Sequence, residues 1–263
     1  MTIEVPGFTT TTLTFLGTAR DVYVRGDGPA VIVMSEVPGI TPAVARFARR
    51  TADAGFRVYM PQLFGTPMRR VSPAAIVSTF AHVCISREFR MLAADASSPI
   101  VDWLRALARH AHGECGGPGV GAVGMCLTGN FALAMMLGAP VIAPVLAQPS
   151  LPVPLTARHR AGLHASPAEL AAAHEQIDRH GARILALRFT GDPLCPPARF
   201  ERLRQEFGES IETIELADRF ANPKGPPPPH SMLTNHLIDE QGQPTHEALE
   251  RTLGFLREQL IPA

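Results

Sequence analysis

The chain has 263 residues, enough for one large α/β domain or two small ones, and its 46% hydrophobic content supplies a sizeable core. Its 24 Lys and Arg balance 24 Asp and Glu, so no global field favours nucleic acid or an anionic membrane as partner. The opening Met1-Thr2-Ile3-Glu4-Val5-Pro6 has no secretion-signal character, and Gly138, Pro140 and Pro144 break the longest apolar stretch, so a buried helix followed by a buried strand is expected there rather than a membrane span. The four cysteines, Cys84, Cys115, Cys126 and Cys195, form no CxxC pair, so a reduced, soluble, cytoplasmic enzyme without a disulfide framework is expected.

Alternation of polar and apolar residues over 10–16 and 21–25 predicts two antiparallel strands at a sheet edge. After the turn Gly26-Asp27-Gly28-Pro29, the apolar run 30–34 reads as a strand buried on both faces, delivering Ser35-Glu36-Val37-Pro38-Gly39 to a loop. Thr41-Pro42 opens a helix through about residue 54, and 56–60 is the next buried strand. Helical periodicity resumes over 74–82 and 98–110. A buried strand over 120–124 leads to a predicted helix over 131–137 and a strand over 141–146. Residues 148–163, with three prolines, read as a loop. Helices over 167–179 and 197–207 alternate with strands over 184–189 and 211–216, and a last helix covers 245–259. Strands and helices alternating without a long linker predict one α/β domain with a mainly parallel sheet, its edge strands at about 10–25 and its core at about 30–260.

The chain is organised around Gly124-Met125-Cys126-Leu127-Thr128-Gly129, a strand–turn–helix junction with cysteine where hydrolases more often carry serine. Such a sharp turn lifts a nucleophile out of the sheet and aims backbone N–H groups at the reacting oxygen. Gly124 and Gly129 keep the turn narrow. Cys126, Asp192 and His230 stand in the order nucleophile, acid, histidine, each in a loop after a predicted strand, which is the α/β-hydrolase order. A thiol needs a base to ionise it, His230 can take and return the proton, and Asp192 can fix the imidazole tautomer. The backbone N–H groups of Leu127 and Val37 are the expected oxyanion donors. His236 is the rival nearest His230, but it falls where a helix is expected. His110, His112 and Cys115 fit no trusted zinc spacing, and no Gly-x-Gly-x-x-Gly opens a βαβ unit, so neither a metal nor a cofactor is expected.

These residues carry a resemblance. The cysteine elbow, the Glu36 loop, Gly191-Asp192 and the approach from Gly225 to His230 resemble the dienelactone hydrolase family from about residue 10 to the last helix. The resemblance implies a single-domain α/β-hydrolase fold and a hydrolase that opens small-molecule lactones or esters through a cysteine thioester. It also implies that Glu36 lies beside the resting thiol and guards it, and that an arginine grips a substrate carboxylate. Arg87 is the first candidate for that arginine and Arg90 the second. The family's other arginine, shortly after the histidine, has no counterpart in Ser231-Met232-Leu233-Thr234-Asn235. A thioesterase or general carboxylesterase on the same scaffold is the alternative expectation, and a non-catalytic small-ligand-binding member the third.

Overall fold

The structure is a computed structural model that describes residues 3–72, 74–79, 89, 92, 95, 96 and 98–261. Arg87, Arg90 and Cys84, and the end of the helix expected over 74–82, lie outside the described residues; 74–79 are helical.

Among the described residues eight strands form one sheet in the order β1-β2-β4-β3-β5-β6-β7-β8. The two edge strands, β1 (Thr9–Phe15) and β2 (Thr18–Arg25), pair antiparallel, and β2 pairs antiparallel with β4 (Arg57–Pro61). From β4 onward every pairing is parallel, through β3 (Ala30–Met34), β5 (Val120–Met125), β6 (Val141–Ala147), β7 (Ile184–Phe189) and β8 (Ile211–Leu216). β3, β5, β6 and β7 are buried along their whole length, which is why they read as unbroken apolar runs.

Helices cover the sheet. In α1 (Pro42–Asp53), the Thr41 hydroxyl accepts from the Val44 N–H and proline fills the first position, as the sequence predicts. α2 (Ile100–Cys115) buries Val101, Leu104, Leu107 and Ala108. The helix expected over 131–137 is shorter: α3 is Phe131–Ala134, and turns follow it. The reason is local, because Arg105 takes the Ala134 carbonyl, at 2.7 Å from Nη2, and that carbonyl would otherwise continue the helix. The loop expected over 148–163 contains a short helix, α4 (Ala157–Ala161), capped by Thr156. α5 (Pro167–His180), α6 (Pro197–Phe207) and α7 (Pro244–Leu260) follow. α7 packs so closely on β5 that a Cβ on Gly121 would sit 2.9 Å from Leu256. Among the described residues no helix is long and apolar enough to cross a membrane.

The chain leaves β3 for β4 on one side and returns to β5 on the other, so strand order reverses between β3 and β5. Ligands in open parallel sheets bind beyond the carboxyl ends of the strands at such a reversal. Met34 and Gly124 are partners in register there, so the Glu36 loop and the Cys126 turn emerge side by side.

Candidate active site

Cys126 opens a single 3-10 turn (Cys126–Thr128) at the end of β5, with φ of 56°, and is 5% exposed. A non-glycine residue in the left-handed region costs of the order of 1 kcal/mol or more and persists only when its surroundings over-determine it. Here the surroundings are tight. A Cβ on Gly124 would lie 2.2 Å from the Thr128 carbonyl oxygen, and one on Gly129 would lie 2.5 Å from Pro149 Cα. The Thr128 hydroxyl accepts from the Met125 N–H at 2.9 Å and lies 3.2 Å from the Met34 carbonyl, stapling the turn to the end of β3. The Leu127 N–H is at the start of the turn, where no intrahelical acceptor exists. Outside helices and strands, neither it nor the Val37 N–H donates to a described carbonyl.

Asp192 follows β7 and His230 follows the Pro226–Pro229 run. Their side chains meet, with His230 Nδ1 2.6 Å from Asp192 Oδ2, while Asp192 Oδ1 accepts from the Leu194 N–H at 2.9 Å. The Asp218 carboxylate accepts the Gly191 N–H at 2.8 Å and occupies the space a Cβ there would need, which accounts for glycine before the acid. His230 Nε2 is buried with no closed hydrogen bond among the described residues. Burial opposes the imidazolium, yet the Cys126 thiolate and the Asp192 carboxylate together raise His230 well above the ordinary histidine range. Cys126 and His230 line the same cleft.

Glu36 joins this cluster but does not bond the sulfur. Its carboxylate accepts from Ser231 Oγ at 2.6 Å, Asn235 Nδ2 at 3.2 Å, Gln148 Nε2 at 3.4 Å and the Thr234 hydroxyl. Burial raises Glu36 above the usual carboxyl range, although these donors pull the other way. The guarding contact implied by the resemblance is thus absent among the described residues, and Glu36 instead ties the β3 loop to the segment that carries His230. The hydroxyl that reaches Cys126 Sγ, at 3.6 Å, belongs to Ser150.

His236 stands in a turn, where the sequence had suggested a helix. Its Nδ1 accepts the backbone N–H of Ser231 at 3.0 Å and of His230 at 3.3 Å, and its Nε2 is 3.0 Å from the Pro226 carbonyl. Burial lowers it below the ordinary value, so it stays neutral and acts as a brace for the His230 loop. A Cβ on Gly225 would lie 2.5 Å from this ring. Arg199, fully buried, donates all five guanidinium N–H groups to the carbonyls of Pro149, Pro152, His159, Gly162 and Leu194. No periodicity or spacing signals Ser150, His236 or Arg199, because each acts on backbone that is distant in sequence.

Cys126, His230 and Ser231 open on a cleft of about 150 Å³ whose walls include Val37, Val71, Ile76, Leu194 and Pro226–Pro228. Among the described residues the lining holds no lysine, arginine or carboxylate. No group of three or more His, Cys, Asp or Glu side chains able to hold a metal occurs among the described residues. His110, His112 and Cys115 serve separate partners: Glu114, the Gly117 carbonyl and the Tyr59 hydroxyl.

The profile of the dienelactone hydrolase family matches residues 14–259. No curated protein matches the sequence. Among solved structures, the chain is similar to a dienelactone hydrolase-like promiscuous phosphotriesterase from metagenomic libraries, at 18% identity and a TM-score of 0.62, covering 96% of this chain and 98% of that one. A candidate dienelactone hydrolase from Klebsiella pneumoniae shares 18% identity at a TM-score of 0.60, with 95% and 98% covered. A thioesterase domain from the curacin biosynthetic pathway shares 11% at a TM-score of 0.54, with 94% and 99% covered. At these identities the structures speak for the fold.

Proposed function

The chain belongs to the dienelactone hydrolase family, and on that premise we propose that it hydrolyses small carboxylic esters or lactones through a thioester on Cys126. Family membership supports a hydrolase. The observation that carries the finer reading is the cysteine at φ 56° in the elbow, opening on one cleft with a histidine held 2.6 Å from a buried carboxylate.

In this reading His230 Nε2 takes the Cys126 proton, and the thiolate attacks the carbonyl carbon. The oxyanion is met by the Leu127 and Val37 N–H groups. Collapse breaks the acyl–oxygen bond, the leaving alkoxide takes the proton back from His230, and a thioester remains. His230 then takes a proton from water, whose hydroxide displaces the thiolate to give the acid and the regenerated thiol. Asp192 holds the imidazole proton on Nδ1, which leaves Nε2 free to act as the base, and offsets the imidazolium charge when it forms.

The apolar walls of the cleft favour an uncharged acyl or alkyl group beside the reacting carbonyl, which supports the carboxylesterase alternative on the substrate side. Rates on a dienelactone, on p-nitrophenyl esters and on acyl-CoA separate these substrates, and an anion grip by Arg87 or Arg90 would appear as a raised KM for the anionic lactone in the alanine variants. Cys126→Ala is expected to abolish hydrolysis while retaining the native thermal transition. Substantial hydrolysis by that variant would sink the reading.

A further inference from the structure

Two acceptors compete for one proton beside the nucleophile. The Ser150 hydroxyl lies 3.6 Å from Cys126 Sγ and 3.1 Å from the Gln148 carbonyl, and Ser150 is 7% exposed. A neutral thiol is a weak acceptor, so the carbonyl holds the proton while the sulfur is protonated. A thiolate is the stronger acceptor, and rotation about one side-chain bond turns the hydroxyl to it. We infer that Ser150 is the hydrogen-bond donor that holds the Cys126 thiolate. The inference rests on the reading of Cys126 as nucleophile.

The backbone is built for this contact. Gln148, like Cys126, is a non-glycine residue in the left-handed region, with φ of 36°, and its N–H donates to the Leu187 carbonyl at 2.7 Å. The Ser150 N–H donates to the Cys126 carbonyl at 2.9 Å, so the two residues are joined through backbone as well as side chain. Arg199 Nη1 grips the Pro149 carbonyl at 2.6 Å, one peptide before Ser150, and also reaches the Leu194 carbonyl at 3.3 Å, on the loop that supports Asp192. One buried guanidinium thus fixes the serine and the acid relative to each other. The titratable groups that interact with the sulfur are His230 and Cys195; Asp192, Glu36 and His236 interact in turn with His230, and Arg199 with Cys195 and Asp192. Cys195 is fully buried, which pushes its thiol far up and leaves it a core residue. Among the described residues no other hydroxyl donates to Cys126 Sγ.

The test is the rate of iodoacetamide alkylation of Cys126, followed by the mass of the peptide that carries it, across mildly acidic to alkaline pH. Ser150→Ala and Ser150→Gly both remove the hydroxyl without adding bulk, and circular dichroism reports their folding. Loss of a hydrogen bond to a charged group is expected to slow alkylation near neutral pH by about tenfold, with the rates converging at alkaline pH where the thiolate is complete in every variant. Unchanged rates at all pH values, or rates lowered by one constant factor throughout, would overturn the assignment. Alkylation needs no substrate, so the outcome is separate from the hydrolysis assay of Cys126→Ala, whose failure would instead remove the nucleophile itself.

Discussion

Replacing Gly124 with alanine tests whether the elbow is as tightly closed as its contacts imply. The added Cβ would lie 2.2 Å from the Thr128 oxygen, 2.8 Å from the Thr128 carbonyl carbon and 2.9 Å from the Gly129 oxygen. All three are backbone atoms, so no rotamer change relieves them. Moving from 2.2 Å to an ordinary contact of 3.4 Å requires the turn to open by 1.2 Å, within two residues of the thiol. A misplacement of about 1 Å costs on the order of 100-fold in rate, so kcat/KM on a p-nitrophenyl ester is expected to fall by about that factor. Forcing a methyl into a packed site costs roughly 1–3 kcal/mol, and a domain of this size loses about 2–4 °C per kcal/mol, so Tm is expected to drop by several degrees. Gly113→Ala is the control, because no atom lies within 4 Å of its added Cβ and the position is helical. A Gly124→Ala variant with the parent's kcat/KM and Tm would refute the argument.

Two further predictions come from buried charge. Burial raises Glu36, so the native state holds its proton more tightly than the unfolded chain, and folding stability falls as pH rises above the ordinary carboxyl value of 4.5. Glu36→Gln removes that titration, so its Tm relative to the parent is expected to rise with pH through this window; a pH-independent difference in thermal unfolding would contradict it. Arg199→Lys offers three donors to five carbonyls, and each buried carbonyl left unpaired costs about 1–3 kcal/mol. With two orphaned, Tm is expected to fall by roughly 4 °C or more, and an unchanged melting curve would show that the clamp is unimportant.

Much of the fold was legible because the parallel strands are buried on both faces and write themselves as apolar runs. β7 and β8 match the sequence boundaries, and the cap at Thr41 announces α1, as does Ser166, whose hydroxyl accepts from the Glu169 N–H, for α5. The helix after the elbow is shorter than its apolar run predicts because a side chain from α2 takes its carbonyl, a tertiary event without a local signal. The elbow and the Asp192–His230 pair were readable because each sits where a strand ends. His236 falls where a helix is expected yet stands in a turn, because its ring accepts two backbone N–H groups and nothing in the periodicity reports that. The guarding role implied for Glu36 met a different arrangement for a related reason. The segment after His230 lacks an arginine but supplies Ser231, Thr234 and Asn235, all of which donate to the carboxylate.

The reading of Cys126 as nucleophile is tested most directly by quenching turnover of a p-nitrophenyl ester in acid and mapping the acyl group by peptide mass. The account predicts an adduct of the acyl mass on the peptide containing Cys126, in stoichiometric amount when deacylation is slow, and none in Cys126→Ala. An acyl group carried by another residue, or hydrolysis that proceeds unabated without the thiol, would contradict it.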